Sequence, residues 1–390
     1  MARWLLPENI SDVLPAEARA VEGLRRALLD LYRSHGYELV VPPLMEYLES
    51  LLTGSGHDLD LSTLKLVDQL SGRTLGLRAD TTPQVARIDS HILNRSGVAR
   101  LCYAGPTLHA RPMHPLASRE PLQVGAEIYG DADFGADREI LELAVRSART
   151  IGVAGMQVDL GHTGVVRALL GELLRGPAGA EEDVLAALTG KDPAALDAAS
   201  AGIAPAQRKA LHTLLELNGG LEVLDRARRA LPPSAALDAA LDDLARLAQG
   251  CGAERVSIDL ADLHGFRYHT GITFAVYVPG LSGPLLRGGR YDDTGQAFGR
   301  ARPATGFSLL DLREAASLAP VPVQRAILAP RRGDAALDAA VEALRREGEI
   351  VIRGTAAELR GGEVGVALTV DRELVWQDGC WSVRERARPA

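Results

Sequence analysis

Between Pro121 and Gly130 the chain alternates with a period of two: Leu122, Val124, Ala126 and Ile128 interleave with Gln123, Gly125, Glu127 and Tyr129. Successive strand side chains leave opposite faces, so this pattern commits the segment to a β-strand with one face on an apolar core. Gln123 and Glu127 then project from the other face, and Gly125 between them leaves room for a molecule to lie against the backbone. The alternation alone fits a solvated strand face as well as a binding floor. The rest of the chain has to decide between them.

Composition narrows the classes. The 390 residues suffice for two or three domains, and 46% hydrophobic with 24% charged residues is ordinary for a soluble globular protein. No apolar run approaches a membrane span, and the first residues break before a signal-peptide core develops, which predicts a cytoplasmic protein without membrane partners. Cys102, Cys251 and Cys380 are an odd number without CxxC spacing. Buried reduced thiols are expected of them, with neither a disulfide framework nor a zinc site. A net charge of −8, with basic residues dispersed among acids, gives no electrostatic footprint for nucleic acid.

Pro15 and Glu17 open a helical pattern carried by Val21, Leu24, Leu28, Leu31 and Tyr32, which Gly36 closes. Tyr37 to Val41 predicts a strand stopped by Pro42-Pro43, and 74–80 and 99–104 are further strand candidates. A helix is expected over Asp137 to Ile151 and a strand over Met156 to Leu160. From 163 to 250 the pattern is Ala- and Leu-rich and helical, broken at Gly176-Pro177, Lys191-Asp192-Pro193, Gly202 and Pro232-Pro233, which predicts a helical insertion. Strands return at Val256 to Leu260, Gly271 to Val278 and Arg302 to Leu310. After Pro320-Val321-Pro322 a β-α-β unit begins with Ala326 to Ala329, a helix bearing Leu337, Val341 and Leu344, and Ile350 to Ile352. Val364 to Leu368 and Leu374 to Trp376 are its last strand candidates. The expected organisation is a core over 1–320 and a small α/β unit over 321–390.

Four segments carry a resemblance. They are Gly36 to Tyr47; Leu77-Arg78-Ala79-Asp80-Thr81-Thr82; Gly105-Pro106 through Gly125-x-Glu127 to Gly130; and His264 to Gly271 with Gly288-Gly289-Arg290-Tyr291-Asp292. A lone Gly-Gly-Arg-Tyr-Asp could be a turn. In this order over most of the chain, the four resemble the histidyl members of the class II aminoacyl-tRNA synthetases. That resemblance implies an α+β fold with an antiparallel sheet flanked by helices, a helical insertion and a dimer built on the first segment. It also implies an amino-acid site: Asp80 and Thr82 at the places that bind the α-ammonium, Gln123 and Glu127 at those that contact histidine. Tyr268 is retained in the histidine-specific segment, and His269 replaces its second tyrosine. A carboxylate such as Glu127 suits an imidazole, since it can accept from a ring N–H.

The departures bear on chemistry. His109 stands where the family clamps the ATP α-phosphate with arginine, His264 where a second arginine assists adenylation, and Arg267 where the histidine-specific segment has aspartate. Arg313 falls near the third motif's arginine without its Gly-x-Glu context. An arginine is a permanently charged planar fork, which a neutral imidazole does not replace. Losing one such donor commonly costs ~10²–10³ in rate, so two losses leave negligible adenylation.

A synthetase-like core with altered arginines and a short C-terminal unit resembles the regulatory-subunit family of ATP phosphoribosyltransferase. This implies a non-catalytic chain with no cofactor and no metal, partnered by the short-form ATP phosphoribosyltransferase catalytic subunit (HisG) in the first step of histidine biosynthesis. It also implies feedback inhibition through L-histidine bound at Asp80, Thr82, Gln123, Glu127, Tyr268 and His269, and self-association as a dimer within a hetero-oligomer. A divergent histidyl-tRNA synthetase and a stand-alone histidine-binding paralogue remain open at this point.

Overall fold

The computed structural model describes residues 4–53, 57–171, 180–318, 323–360, 364–366 and 368–386. Packing divides the chain into two compact units, one running to residue 318 and the other formed by 323–386 together with Val13–Ala20. The Gly176-Pro177 break and the start of the C-terminal unit at Pro320-Val321-Pro322 lie outside the described residues.

In the larger unit the strands are β1 (Glu38–Leu39), β2 (Met45–Tyr47), β3 (Leu64–Val67), β4 (Thr74–Leu77), β5 (Ala99–Pro106) and β6 (Leu122–Tyr129). They are followed by β7 (Gln157–His162), β8 (Asn218–Gly219), β9 (Arg255–Asp259), β10 (Ile272–Tyr277), β11 (Leu286–Arg290) and β12 (Ala304–Leu309). Nine of them form one sheet in the order β1-β5-β6-β12-β11-β10-β7-β9-β8, and β2-β4-β3 form a second. The large sheet is antiparallel except where β1 meets β5 and β7 meets β9. β6 is central and eight residues long, as its alternation requires.

Register sorts the side chains. Val124, Ala126 and Ile128 of β6 are buried on one face, together with Phe307 of β12 and Phe274 of β10. The first helix, Pro15–Ser34, buries Val21, Leu28 and Tyr32, and the Tyr32 ring meets Phe307 edge-on at 6.0 Å. The helix Phe134–Ile151 buries ten residues, Ile140, Leu141, Leu143 and Ile151 among them, and Gly152 stops it at φ 87°. Each such side chain contributes roughly 1.5–3 kcal/mol on leaving water.

Among the described residues the insertion contributes six helices: Thr163–Leu170, Ala180–Thr189, Pro193–Ala199, Pro205–Glu216, Glu222–Ala230 and Ala235–Gly250. Asp192 and Ser234, beside two of the expected breaks, cap their helices by accepting from backbone N–H groups. Between these helices the two-residue β8 extends the large sheet, a pairing too short to leave a sequence pattern.

The smaller unit holds β13 (Arg325–Pro330), the helix Ala335–Arg346, β14 (Ile350–Gly354), β15 (Thr369–Gln377) and β16 (Cys380–Glu385), in sheet order β14-β13-β15-β16. Its core gathers Ile327, Ala329, Leu337, Val341, Val351 and Leu374.

Several expectations change. Of Tyr37 to Val41 only Glu38–Leu39 pairs, because Pro42-Pro43 follow at once. The strand over 74–80 ends at Leu77 and belongs to the small sheet. The helix expected from Asp137 begins at Phe134. The described part of Val364 to Leu368 is not strand, and Leu374 to Trp376 lies inside the longer β15. Cys102 and Cys251 are buried free thiols, but Cys380 is exposed, since it follows the tight turn Asp378-Gly379 that joins β15 to β16.

Candidate functional site

The face of the large sheet opposite Phe307 is cleared of bulk. Cross-strand register sets Tyr103, Gly125, Ser308, Arg287 and Ala275 side by side in one row, and Leu101, Glu127, Gly306, Gly289 and Thr273 in the next. Three glycines therefore stand where side chains would fill the face. A Cβ on Gly306 would fall 1.5 Å from Glu127 Oε2, and one on Gly125 would fall 2.3 Å from the Tyr103 hydroxyl. Over this floor opens a cavity of about 510 Å³, whose lining includes all six predicted residues: Asp80, Thr82, Gln123, Glu127, Tyr268 and His269.

Asp80 and Thr82 reach it because the chain leaves β4 at Leu77 and enters the short helix Thr82–Arg87. Arg78 fixes that crossing: its guanidinium is buried and donates to the carbonyls of Pro42 at 2.9 Å and Pro106 at 2.8 Å. Gln123 ties the crossing to β6, accepting from Thr81 N at 2.9 Å and donating to Asp80 at 2.8 Å and Ser308 Oγ at 3.1 Å.

Glu127 sits at the closed end, 1% exposed. Thr82 Oγ1 donates to it at 3.0 Å and the Tyr103 hydroxyl at 3.3 Å, while the Tyr291 hydroxyl donates to its other oxygen. Burial nonetheless lifts its pKa to about 8, helped by the nearby Asp80 charge, because the hydroxyl hydrogen bonds offset only part of the desolvation. The carboxyl is therefore protonated far more readily than that of a solvated glutamate. Beside it Tyr268 stacks on Tyr291 at 4.9 Å and meets the His269 ring edge-on at 5.3 Å. The buried Tyr268 hydroxyl lacks a hydrogen-bond partner among the described residues. His269 Nδ1 lies 3.2 Å from Gly265 O, and burial lowers the ring's pKa.

The positions aligned with adenylation arginines look different. His109 Nε2 is 2.9 Å from Ala79 O, so that nitrogen carries the proton, and burial lowers the ring's pKa. A neutral ring tied to a carbonyl offers no charge to a phosphate. His264 is exposed and bonded through Nδ1 to Asp262, and Arg267 pairs with Glu182 at 2.7 Å. Arg313 is not in the cavity lining; it donates to Ser11 O at 3.3 Å and Ser11 Oγ at 3.1 Å.

Sequence reasoning missed Tyr291, Ser308 and Arg287 as cavity residues. Tyr291 stood in a quoted motif without a role. The other two share a face with Glu127 only through cross-strand register, to which single-strand alternation is blind.

Fold and cavity together define a class II aminoacyl-tRNA synthetase-like chain of the histidyl kind, and the histidyl-tRNA synthetase family model matches residues 9–314. The model for the ATP phosphoribosyltransferase subunit HisZ C-terminal domain matches residues 324–384. A curated ATP phosphoribosyltransferase regulatory subunit from Ralstonia nicotianae is 54% identical, covering all of both chains. One from Cupriavidus necator is 56% identical over 98% of this chain and 99% of its own. Among solved structures, an ATP phosphoribosyltransferase regulatory subunit/histidyl-tRNA synthetase from Bacillus halodurans superposes with a TM-score of 0.78 at 27% identity, covering 94% of each chain. A histidyl-tRNA synthetase from Nostoc sp. PCC 7120 gives 0.73 at 18% identity over 96% of this chain and 92% of its own, a likeness of fold. The chain belongs to the ATP phosphoribosyltransferase regulatory subunit family.

Proposed function

We propose that the cavity binds free L-histidine and that its occupancy carries feedback inhibition to the catalytic partner. The chain is a regulatory, non-catalytic subunit of ATP phosphoribosyltransferase, acting in histidine biosynthesis. Its partner in this reading is the short-form catalytic subunit, in a cytoplasmic hetero-oligomer.

The observation that carries the reading is the convergence of Asp80, Thr82, Gln123, Glu127, Tyr268 and His269 on one cavity, while His109 and His264 are neutralised or turned to solvent. Asp80 suits the ligand's ammonium. Glu127 suits its ring: an imidazole of ordinary pKa about 6.5 is largely neutral at pH 7, and a protonated carboxyl beside it shares its proton with a ring nitrogen. Inhibition then needs only that histidine bind one quaternary state better than another, a coupling of typically ~1–3 kcal/mol.

Self-association as a dimer is part of the proposal. It is supported by apolar side chains left exposed on β1 and just after it, where Leu39 is 50% and Val41 79% accessible, and at the start of β2, where Met45 is 55% accessible. The division into a core over 1–320 and a C-terminal unit over 321–390 belongs to the same reading.

Calorimetry on the purified chain tests the site. Wild type is expected to bind L-histidine, and Glu127→Ala to weaken binding by about 10-fold or more, as loss of a buried hydrogen-bond partner does. The complex with the catalytic subunit should lose histidine inhibition in parallel. Undiminished inhibition with that substitution removes the site from consideration, and histidine-dependent ATP–pyrophosphate exchange by the chain would establish a synthetase instead.

A further inference from the structure

The cavity holds a cation that the preceding reading does not use. Arg287 lies on β11 directly opposite Ser308 of β12, and its side chain lines both the large cavity and an adjoining recess of about 140 Å³. Its Nε is buried without a hydrogen-bond partner, and no salt bridge involves it among the described residues. The contrast with Arg290 on the same strand is direct. Arg290 leaves the opposite face and is fully engaged, at 2.9 Å from Asp137, with further bonds to Asp131 O and Asp292. Arg302 is likewise locked on Asp89 at 2.8 Å, and Arg100 on Glu139 at 2.7 Å. The recess holds two acids, Asp159, bonded to Gln157 and Ser257, and Asp262, bonded to His264; Asp262 feels the Arg287 charge without a hydrogen bond to it. A half-buried guanidinium that faces a cavity and has no hydrogen-bonded partner is suited to an anion from outside the chain.

We infer that Arg287 binds the α-carboxylate of the amino acid in the cavity, and so makes the site selective for the free amino acid. This rests on the histidine reading above and assigns one more contact within it. The register supplies the geometry. Ser308, opposite Arg287, bonds Gln123, which bonds Asp80. Ammonium and carboxylate groups on one α-carbon can therefore settle on either side of Ser308, toward Asp80 and toward Arg287. Glu127 lies two strands from Arg287 in the sheet, a lateral span of about 10 Å. The rung between them is Gly306 and Gly289, and the side chains that lie over it, Glu127 and His269, are themselves cavity residues. Arg287 thereby provides the permanent charge that His264 does not, from a different strand.

The test compares L-histidine with L-histidinamide, which keeps the ring and the ammonium but has no carboxylate, by calorimetry on the full chain. Wild type should bind histidine at least tenfold more tightly than the amide. Arg287→Gln should weaken histidine by about 10–100-fold, the range for a lost charged hydrogen-bond pair, and the amide by less than about threefold. Arg287→Lys, which keeps a point charge without the fork, should fall between and guards against misfolding of the glutamine variant. Equal weakening of both ligands by either variant, or an unchanged histidine affinity, overturns the inference and leaves the histidine site standing. Wild-type failure to bind either ligand overturns both.

Discussion

The two faces of the nine-stranded sheet solve opposite problems with the same strands. On the helix side Val124, Ala126, Ile128 and Phe307 fill the space, and the one arginine of β11 that points there, Arg290, is neutralised by Asp137. On the cavity side Gly125, Gly306 and Gly289 leave their space to the Tyr103, Glu127 and His269 side chains, and Arg287 keeps an Nε without a hydrogen-bond partner. Charge within the packed face is satisfied by the chain; charge on the open face waits for a ligand. Alternation along a strand thus separates stability from recognition at single-residue resolution.

The largest break in this comparison should come from the packed face. Asp137→Ala leaves Arg290 buried without its ion-pair partner, so unfolding free energy should drop by about 3–5 kcal/mol in denaturant titration. Histidine affinity, measured below the transition, should stay within about twofold, since the cavity shares no partner with the pair. A large loss of affinity would mean the faces are coupled.

Gly306→Ala should do the reverse. Its methyl group must displace the Glu127 carboxyl, so binding should collapse while overpacking costs about 1–3 kcal/mol of stability. Calorimetry and thermal melts on the same sample read both.

The third break leaves the packing untouched and concerns protons. A carboxyl whose pKa rises from 4.5 to about 8 on folding holds its proton more tightly in the folded chain than in the unfolded one. Its contribution to stability is therefore complete at low pH and is lost as pH rises from about 4.5 through 8, with a slope of up to about 1.4 kcal/mol per pH unit. Glu127→Gln should remove that slope from the pH dependence of unfolding; an unchanged profile would place the proton elsewhere.

What the sequence disclosed follows the same division. β6 and the long helix Phe134–Ile151 were legible because a regular element packed on a core repeats its apolar residues at a fixed period. β8, two residues long, and the mostly exposed β3 had no period to show, while β1 was expected over Tyr37 to Val41 and keeps two of those residues. Asp80, Thr82, Gln123 and Glu127 could be named from motif order, because each motif brings its own residue. Arg287 could not, for its meaning depends on a neighbour 21 positions away, Ser308, that only the β11–β12 register supplies. Arg313, near the third motif's arginine but without its context, lies in the helix Leu312–Leu318 and bonds Ser11.

The hydroxyls that surround Glu127 come from positions 45, 24 and 164 residues away along the chain. Bringing such distant segments together requires closing long loops, which is costly in entropy until the intervening structure exists. A cavity assembled from such distant segments is expected to form only after those segments have come together. Whatever occupies it fastens those late contacts and draws the whole unit toward its finished state by mass action. Ligand sensing and quality control are, in this architecture, one and the same act.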